Sequence, residues 1–261
     1  HMKVKGKLLI STVILAIFNL LFCMKALSIE LKTAAQDSAP KFFKGADGRI
    51  TGICVDIIKA INEEAGSDFE ITGYENFIPA KRYKLMLEDG ELDLMLGLSK
   101  NPEREKRFQY IDIPLYSVKH VIVSRADANL QINSIEDIIK KRLSVISILG
   151  TGSAKYAKQI FGEELVSSVT KRPETLMRML IANRGDLVYY HNLGIMHEIR
   201  RGDLFKKVTI QPVIPREYSH YLAMSRKTSK DIVKKVYDVV LKLKQNGRLD
   251  DIYKKYAAED L

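Results

Sequence analysis

The stretch that decides the fold is Gly90-Glu91-Leu92-Asp93-Leu94-Met95-Leu96-Gly97-Leu98-Ser99-Lys100-Asn101-Pro102-Glu103-Arg104. Residues 92–96 form a short apolar run, which reads as a strand. Gly90 before it ends a helical pattern over 82–87, and Gly97 after it turns the chain towards Pro102-Glu103, a helix start with proline in its usual place. Helix, strand, glycine turn and helix in this order are the repeating unit of an α/β sheet. Working outward, strands are expected over 29–34, 69–74, 120–124, 144–148, 187–190, 208–213 and 221–224. A helix is expected at 53–65, with Cys54, Ile57, Ile58 and Ile61 on one face and Gly66 as its stop. A second helix spans 174–182. Ser134 with Asp137 caps a short helix, and Thr228 with Asp231 caps a long final one that stops at Gly247. The alternation predicts open α/β sheets with helices on both faces, whose ligands bind where strand carboxyl ends meet helix N-termini.

Three segments sit at such ends. In the first, Gly97 lets a ligand approach the backbone, Ser99 offers a hydroxyl, and Arg104 can grip a carboxylate through two N–H groups. In the second, Gly150-Thr151-Gly152-Ser153 lies between a strand and a helix, where free backbone N–H groups can hold an anion. It has neither the Gly-Lys-Ser/Thr of a phosphate loop nor a full Gly-x-Gly-x-x-Gly, and an ordinary capped turn explains it equally well. The third is Tyr189-Tyr190-His191-Asn192, aromatic and polar groups suited to a pocket wall. Ser153 and His191 lack the elbow motif of a nucleophile and base. His120, His197 and His220 show no metal-ligand spacing, so no metal and no cofactor are expected.

The chain of 261 residues carries a formal charge of +10 and only two cysteines. That excludes a disulfide scaffold and a multi-cysteine metal site. His1 before Met2 is read as a vector remnant. Lys3, Lys5 and Lys7 followed by the apolar run 8–22 and by Ala26-Leu27-Ser28 form an export signal, with cleavage expected after Ser28. The run is shorter than the roughly 20 residues a spanning helix needs. Phe22 before Cys23 argues against a lipid anchor. Losing residues 1–28 lowers Lys plus Arg from 42 to 38 against 32 acids and the charge from +10 to +6. These basic residues are scattered rather than clustered with aromatics, which argues against nucleic-acid binding. Cys54 would remain as a lone buried thiol.

Taken in order, several motifs resemble the family 3 extracellular solute-binding proteins, the amino-acid-type receptors of ABC importers. Gly52-Ile53-Cys54-Val55-Asp56-Ile57 is similar to the opening of that family's first long helix. Gly90-Glu91-Leu92-Asp93 is similar to its Gly-x-φ-Asp before the third strand, and Gly97 to Arg104 to its Gly-x-Thr-x-Thr-x-Glu-Arg. Pro114-Leu115-Tyr116, Ile135-Glu136-Asp137-Ile138, Gly150-Thr151-Gly152-Ser153 and Asn183-Arg184-Gly185-Asp186 follow in the family's order. Asn246-Gly247-Arg248-Leu249-Asp250-Asp251-Ile252-Tyr253-Lys254-Lys255-Tyr256 resembles the C-terminal signature.

The resemblance implies a type II periplasmic-binding-protein fold, two open α/β sheets joined by a two-strand hinge. Lobe 1 would be 29–121 with 217–261, and lobe 2 would be 122–216. It further implies that Arg104 holds a ligand carboxylate, that Ser99 donates to the same group, that Gly97 offers its carbonyl, and that Thr151 and Gly152 complete the cradle. Three departures stand out. The position where the family has an acid for the ligand ammonium holds His191, with Asn192 next, while Asp186 matches a structural acid. There is no tryptophan, so Phe42, Phe43, Phe77 or Tyr190 would supply an aromatic wall. Pro79-Ala80-Lys81-Arg82 resembles a Pro-Trp-x-Arg variant, which brings in Arg82. The implied function is a monomeric periplasmic receptor that takes a small carboxylate-bearing solute, an amino acid or related organic acid, to an ABC permease without enzymatic activity. The alternatives are a cyclohexadienyl-dehydratase-like enzyme, for which Asp37 is the available acid, and a sensing module for a separate signalling partner. The absence of a kinase or cyclase region after the C-terminal signature favours the free receptor.

Overall fold

The computed structural model describes residues 28–257. Residues 1–27 of the export signal expected over 1–28 lie outside the described residues. In chain order the elements are β1 (Ile29–Lys32), β2 (Phe43–Lys44), β3 (Ile50–Thr51), α1 (Ile53–Ala65), β4 (Phe69–Thr72), α2 (Ala80–Asp89), β5 (Leu94–Ser99), α3 (Pro102–Arg107), β6 (Phe108–Tyr110) and β7 (Tyr116–Arg125). Then come α4 (Ile135–Lys140), β8 (Val145–Ile148), α5 (Gly152–Phe161), β9 (Val166–Thr170), α6 (Pro173–Ile181), β10 (Leu187–His191), α7 (Asn192–Arg201), β11 (Val208–Ile210), β12 (Arg216–Ser225), α8 (Lys230–Gln245) and α9 (Arg248–Tyr256).

The expected α/β class is present. Strands run in the order β5-β12-β7-β10-β8-β9, with β6 added to β12 and β11 to β7. β1 and β4 form a parallel pair, held beside β5 where the Asp93 amide donates to the Lys32 carbonyl and the Lys32 amide donates to the Asp93 carboxylate. The ten-residue strands β7 and β12 are the joint. They pair with each other antiparallel from His120 with Arg216 to Tyr116 with His220. Beyond that ladder β7 pairs with β10, and β12 pairs with β5 and β6. The two strands thus start in one half of the molecule and end in the other.

Apolar periodicity explains what packs where. Helix α1 buries Ile53, Cys54, Val55, Ile57, Ile58 and Ile61 against Leu31, Phe69, Leu94, Leu96 and Val240. In the other half, alternate residues of the sheet serve opposite faces, as period-2 geometry requires. Val121, Val123, Ile146, Ile148 and Val188 meet Leu176, Met177 and Leu180 of α6 and Ile195 of α7. Ile122, Val145, Leu187 and Tyr189 meet Ile138 of α4 and Ala157 and Phe161 of α5. Covering both faces is what lets these strands be apolar throughout.

The caps are partly as expected. Ser134 accepts from the Asp137 amide while Asp137 accepts from that of Ser134. The long helix α8 is capped by Ser229, which accepts from the Ile232 amide at 3.4 Å, and not by Thr228. It ends at Gln245, and Gly247, at φ 80°, starts a further helix, α9. Asp56 of α1 accepts from Lys255 Nζ and Tyr256 Oη, both at 2.7 Å, and ties that last helix down. The strand expected over 208–213 is only Val208–Ile210, because Pro212 has no N–H for a ladder. The strand expected over 221–224 extends back to Arg216, a difference that matters for the site.

Candidate functional site

Helix α3 sets the position of Arg104. Asn101 ends the extended segment and accepts from the Arg104 amide at 2.9 Å, with Pro102 at the first helical position. From this first turn Arg104 Nη1 donates back to Ser99 Oγ at 2.7 Å and Ser99 O at 3.0 Å. No carboxylate among the described residues pairs with it. Ser99 therefore acts as an acceptor that aims the guanidinium, its carbonyl also taking the Tyr110 hydroxyl at 3.0 Å.

Helix α5 faces this arginine across a cavity of about 490 Å³. Thr151 is its N-cap: Oγ1 accepts from the Ala154 amide at 3.2 Å and donates to the Ile148 carbonyl at 2.7 Å. That cap leaves the amides of Gly152 and Ser153 without a partner among the described residues, as expected for the first turn of a helix. Such a terminus favours an anion.

The floor comes from the joint. By register His191, His120 and Arg216 lie side by side across β10, β7 and β12. His120 is buried, with Nδ1 2.6 Å from Tyr189 Oη and Nε2 3.5 Å from Ser153 Oγ. Burial, with the Arg216 charge adding to it, pushes the imidazole down to about 4, so the ring is neutral at ordinary pH. The Arg216 guanidinium lies 5.0 Å from the ring centres of both Tyr156 and Tyr218, a cation between two aromatic faces. Lys100 sits 4.3 Å from the Tyr221 ring and pairs with Asp112. Beneath β5, Lys41 runs past Gly97 and donates to Gln36 Oε1 at 3.0 Å. Burial lowers its pKa, and the Lys84 and Arg104 charges lower it further against the opposing pull of Cys54.

Of the residues singled out in the sequence, Ser99, Arg104 and Gly152 line this cavity, while Gly97 is buried within β5 against Lys41, Tyr116 and Cys54. Thr151 shapes the helix end but spends its hydroxyl on the cap. His191 does not line the cavity. Its Nδ1 accepts from the Gly194 amide at 3.0 Å to cap α7, and burial, with His120 and Lys41 nearby, pushes it down to about 3. Asn192 is spent as well, accepting from the Lys119 amide and donating to Tyr253 Oη. Tyr190 packs into the core beside α6 and α7. Asp37 and Arg82 are exposed and away from the cavity, Arg82 because its neighbour Tyr83 is the buried face of α2. Asp186 accepts from the amide and hydroxyl of Ser144, a structural bond.

The aromatic wall is not Phe42, Phe43 or Phe77. Phe42 is fully buried, Phe43 meets His197 edge-on at 4.7 Å, and Phe77 packs on the first core. Tyr218 and Tyr221 supply it. Arg216, Tyr218 and His220, alternating before the apolar end of β12, were the signal that would have found them. Among the described residues no group of three or more His, Cys, Asp or Glu is placed to hold a metal, and no helix is long and apolar enough to cross a membrane.

The profile of the bacterial extracellular solute-binding proteins, family 3, matches residues 31–259. The amino-acid-binding protein AabA of Dichelobacter nodosus is 28% identical over 233 residues, covering 83% of this chain and 83% of that protein. The ABC transporter glutamine-binding protein GlnH of Bacillus subtilis (strain 168) is 23% identical over 216 residues, covering 82% and 76%. An ancestral cationic amino-acid solute-binding protein, AncCDT-1, superposes with a TM-score of 0.72 at 22% identity, over 92% of this chain and 99% of that one. With a matching profile along almost the whole described length, this chain belongs to the bacterial extracellular solute-binding proteins, family 3.

Proposed function

We propose that this protein captures a small carboxylate-bearing solute, an amino acid or related organic acid, by closing two lobes over it, and delivers it to an ABC permease. The lobes are taken as 29–121 with 217–261 and as 122–216, the protein acts as a monomer in the periplasm, and residues 1–28 direct its export. The observation that carries the reading is Arg104. It is aimed by Ser99, has no carboxylate of its own among the described residues, and faces the unpartnered amides of Gly152 and Ser153. One anion held from both sides gives closure its driving force, since those contacts complete only when the halves meet. The names of AabA and GlnH, an amino-acid-binding and a glutamine-binding protein, support this reading. A dehydratase on the same scaffold needs an acid poised over a leaving hydroxyl. Asp37, the acid considered for it, is exposed and outside the cavity, which favours a binding protein.

The test is titration calorimetry on refolded, ligand-free protein with amino and organic acids. Arg104→Ala should cost about 2–5 kcal/mol of affinity, the range for truncating one side of a buried charge pair. Unchanged affinity rejects the assignment of Arg104, and no binding by any carboxylate rejects the function.

A further inference from the structure

We infer that the solute is a small dicarboxylate, with one carboxylate on Arg104 and the α5 N-terminus and the second on Arg216, and that the cleft holds no seat for an ammonium. This rests on the solute-binding reading above and narrows it. The charged side chains lining the cavity are Lys100, Arg104 and Arg216, all cations, with no Asp or Glu among them. Lys100 is neutralised by Asp112. Arg104 and Arg216 have no carboxylate partner among the described residues. The first touches only the oxygens of Ser99, which leaves Nε and Nη2 free to donate, and the second touches only aromatic rings. Two uncompensated guanidinium groups therefore share one cavity.

The neutral groups point the same way. Burial keeps the Tyr189 hydroxyl protonated, 2.6 Å from His120 Nδ1, which ties one face of that neutral ring to a neutral partner. The other ring nitrogen, Nε2, faces Ser153 Oγ at 3.5 Å, and the uncharged ring offers no negative charge to the cavity. The Gly152 and Ser153 amides add two N–H donors, and among the described residues no carboxylate lines the cavity to pair with an ammonium. His191, at the position where such an acceptor was sought, is a neutral helix cap. Lys41 below Gly97 donates to the neutral side-chain amide of Gln36 at 3.0 Å and adds positive potential from behind. A zwitterion would bring its ammonium into this field unpaired, whereas a second carboxylate would neutralise Arg216. Stacking between Tyr156 and Tyr218 holds that guanidinium in place and leaves its edge for in-plane N–H donation.

The experiment is calorimetry on the ligand-free protein with succinate, glutarate and 2-oxoglutarate against glutamine, arginine and butyrate. At least one dicarboxylate should bind about tenfold or more tighter than all three competitors, about 1.4 kcal/mol. Arg216→Gln, a change at an exposed strand end, should weaken that dicarboxylate about 30-fold, as loss of a charge pair implies, without lowering the melting temperature of the unliganded protein. Glutamine or arginine binding as tightly as every dicarboxylate overturns the inference and leaves the solute-binding reading intact. Dicarboxylate binding that Arg216→Gln does not weaken overturns the second subsite. Binding of none of the six overturns the inference, while the solute-binding function is rejected only if the wider series of amino and organic acids fails as well.

Discussion

At Gly97 the backbone takes φ 72°, and a Cβ there would lie 2.6 Å from Lys41 Cδ, 2.8 Å from Tyr116 Oη and 3.1 Å from Cys54 Sγ. Left-handed strain and a crowded floor act together, so Gly97→Ala should destabilise the fold by about 1–3 kcal/mol and push the lysine stem aside. Urea melts measure the first effect. A variant as stable as the parent would mean that the floor is softer than these distances require. Cys54 beneath it is fully buried, and burial pushes its thiol up to about 12. A thiolate is the reactive form, so Ellman's reagent should label this cysteine only at the rate of unfolding. Prompt labelling of the native protein would contradict that.

The strands β7 and β10 carry two neutral histidines side by side, His120 and His191, and the pH response belongs to them. His120 stands at about 4 against an ordinary 6.5, and His191 at about 3, both lowered first by burial. A base with a depressed folded value contributes full stability above 6.5, where neither state is protonated. It loses that stability as the pH falls towards the folded value, because the unfolded chain takes up the proton first. For His120 the loss at pH 5 is on the order of 2 kcal/mol. The melting temperature should therefore drop between pH 7 and 5, and His120→Gln should flatten the drop. An equal slope in both proteins would remove His120 from the account.

The same strands show what local pattern can and cannot reveal. Helix α1 was legible to the residue because its apolar face repeats every three to four positions. The helix start from Asn101 to Arg104 was legible because cap and proline are adjacent, whereas Gly97, expected to turn the chain, lies inside β5, which runs on to Ser99. Arg216 and Tyr218 were not, since they reach the site only when β12 pairs with β7 almost a hundred residues earlier. His191 and Thr151 were read correctly as lying at element ends. Their side chains were then claimed by backbone amides that sequence distance does not reveal.

For the whole molecule the decisive geometry is that both halves hang on one paired ladder, β7 with β12. Closure over a ligand should show in solution scattering as a fall in the radius of gyration towards about 17 Å, the value for a compact chain of this size. An unchanged radius at saturating ligand would argue against clamp motion. Arg216 is the first residue of β12, on that joint, with Tyr156 of α5 on one side and Tyr218 of the joint strand on the other. Points on an axis of rotation travel least, so under the proposed closure this charge would keep its place while the rest of the cleft opens and shuts. The consequence is kinetic. An incoming anion finds a stationary first foothold there, which makes the association rate steep in ionic strength. Departure would wait for the proposed movement of the wall that carries Arg104, which would then set the residence time.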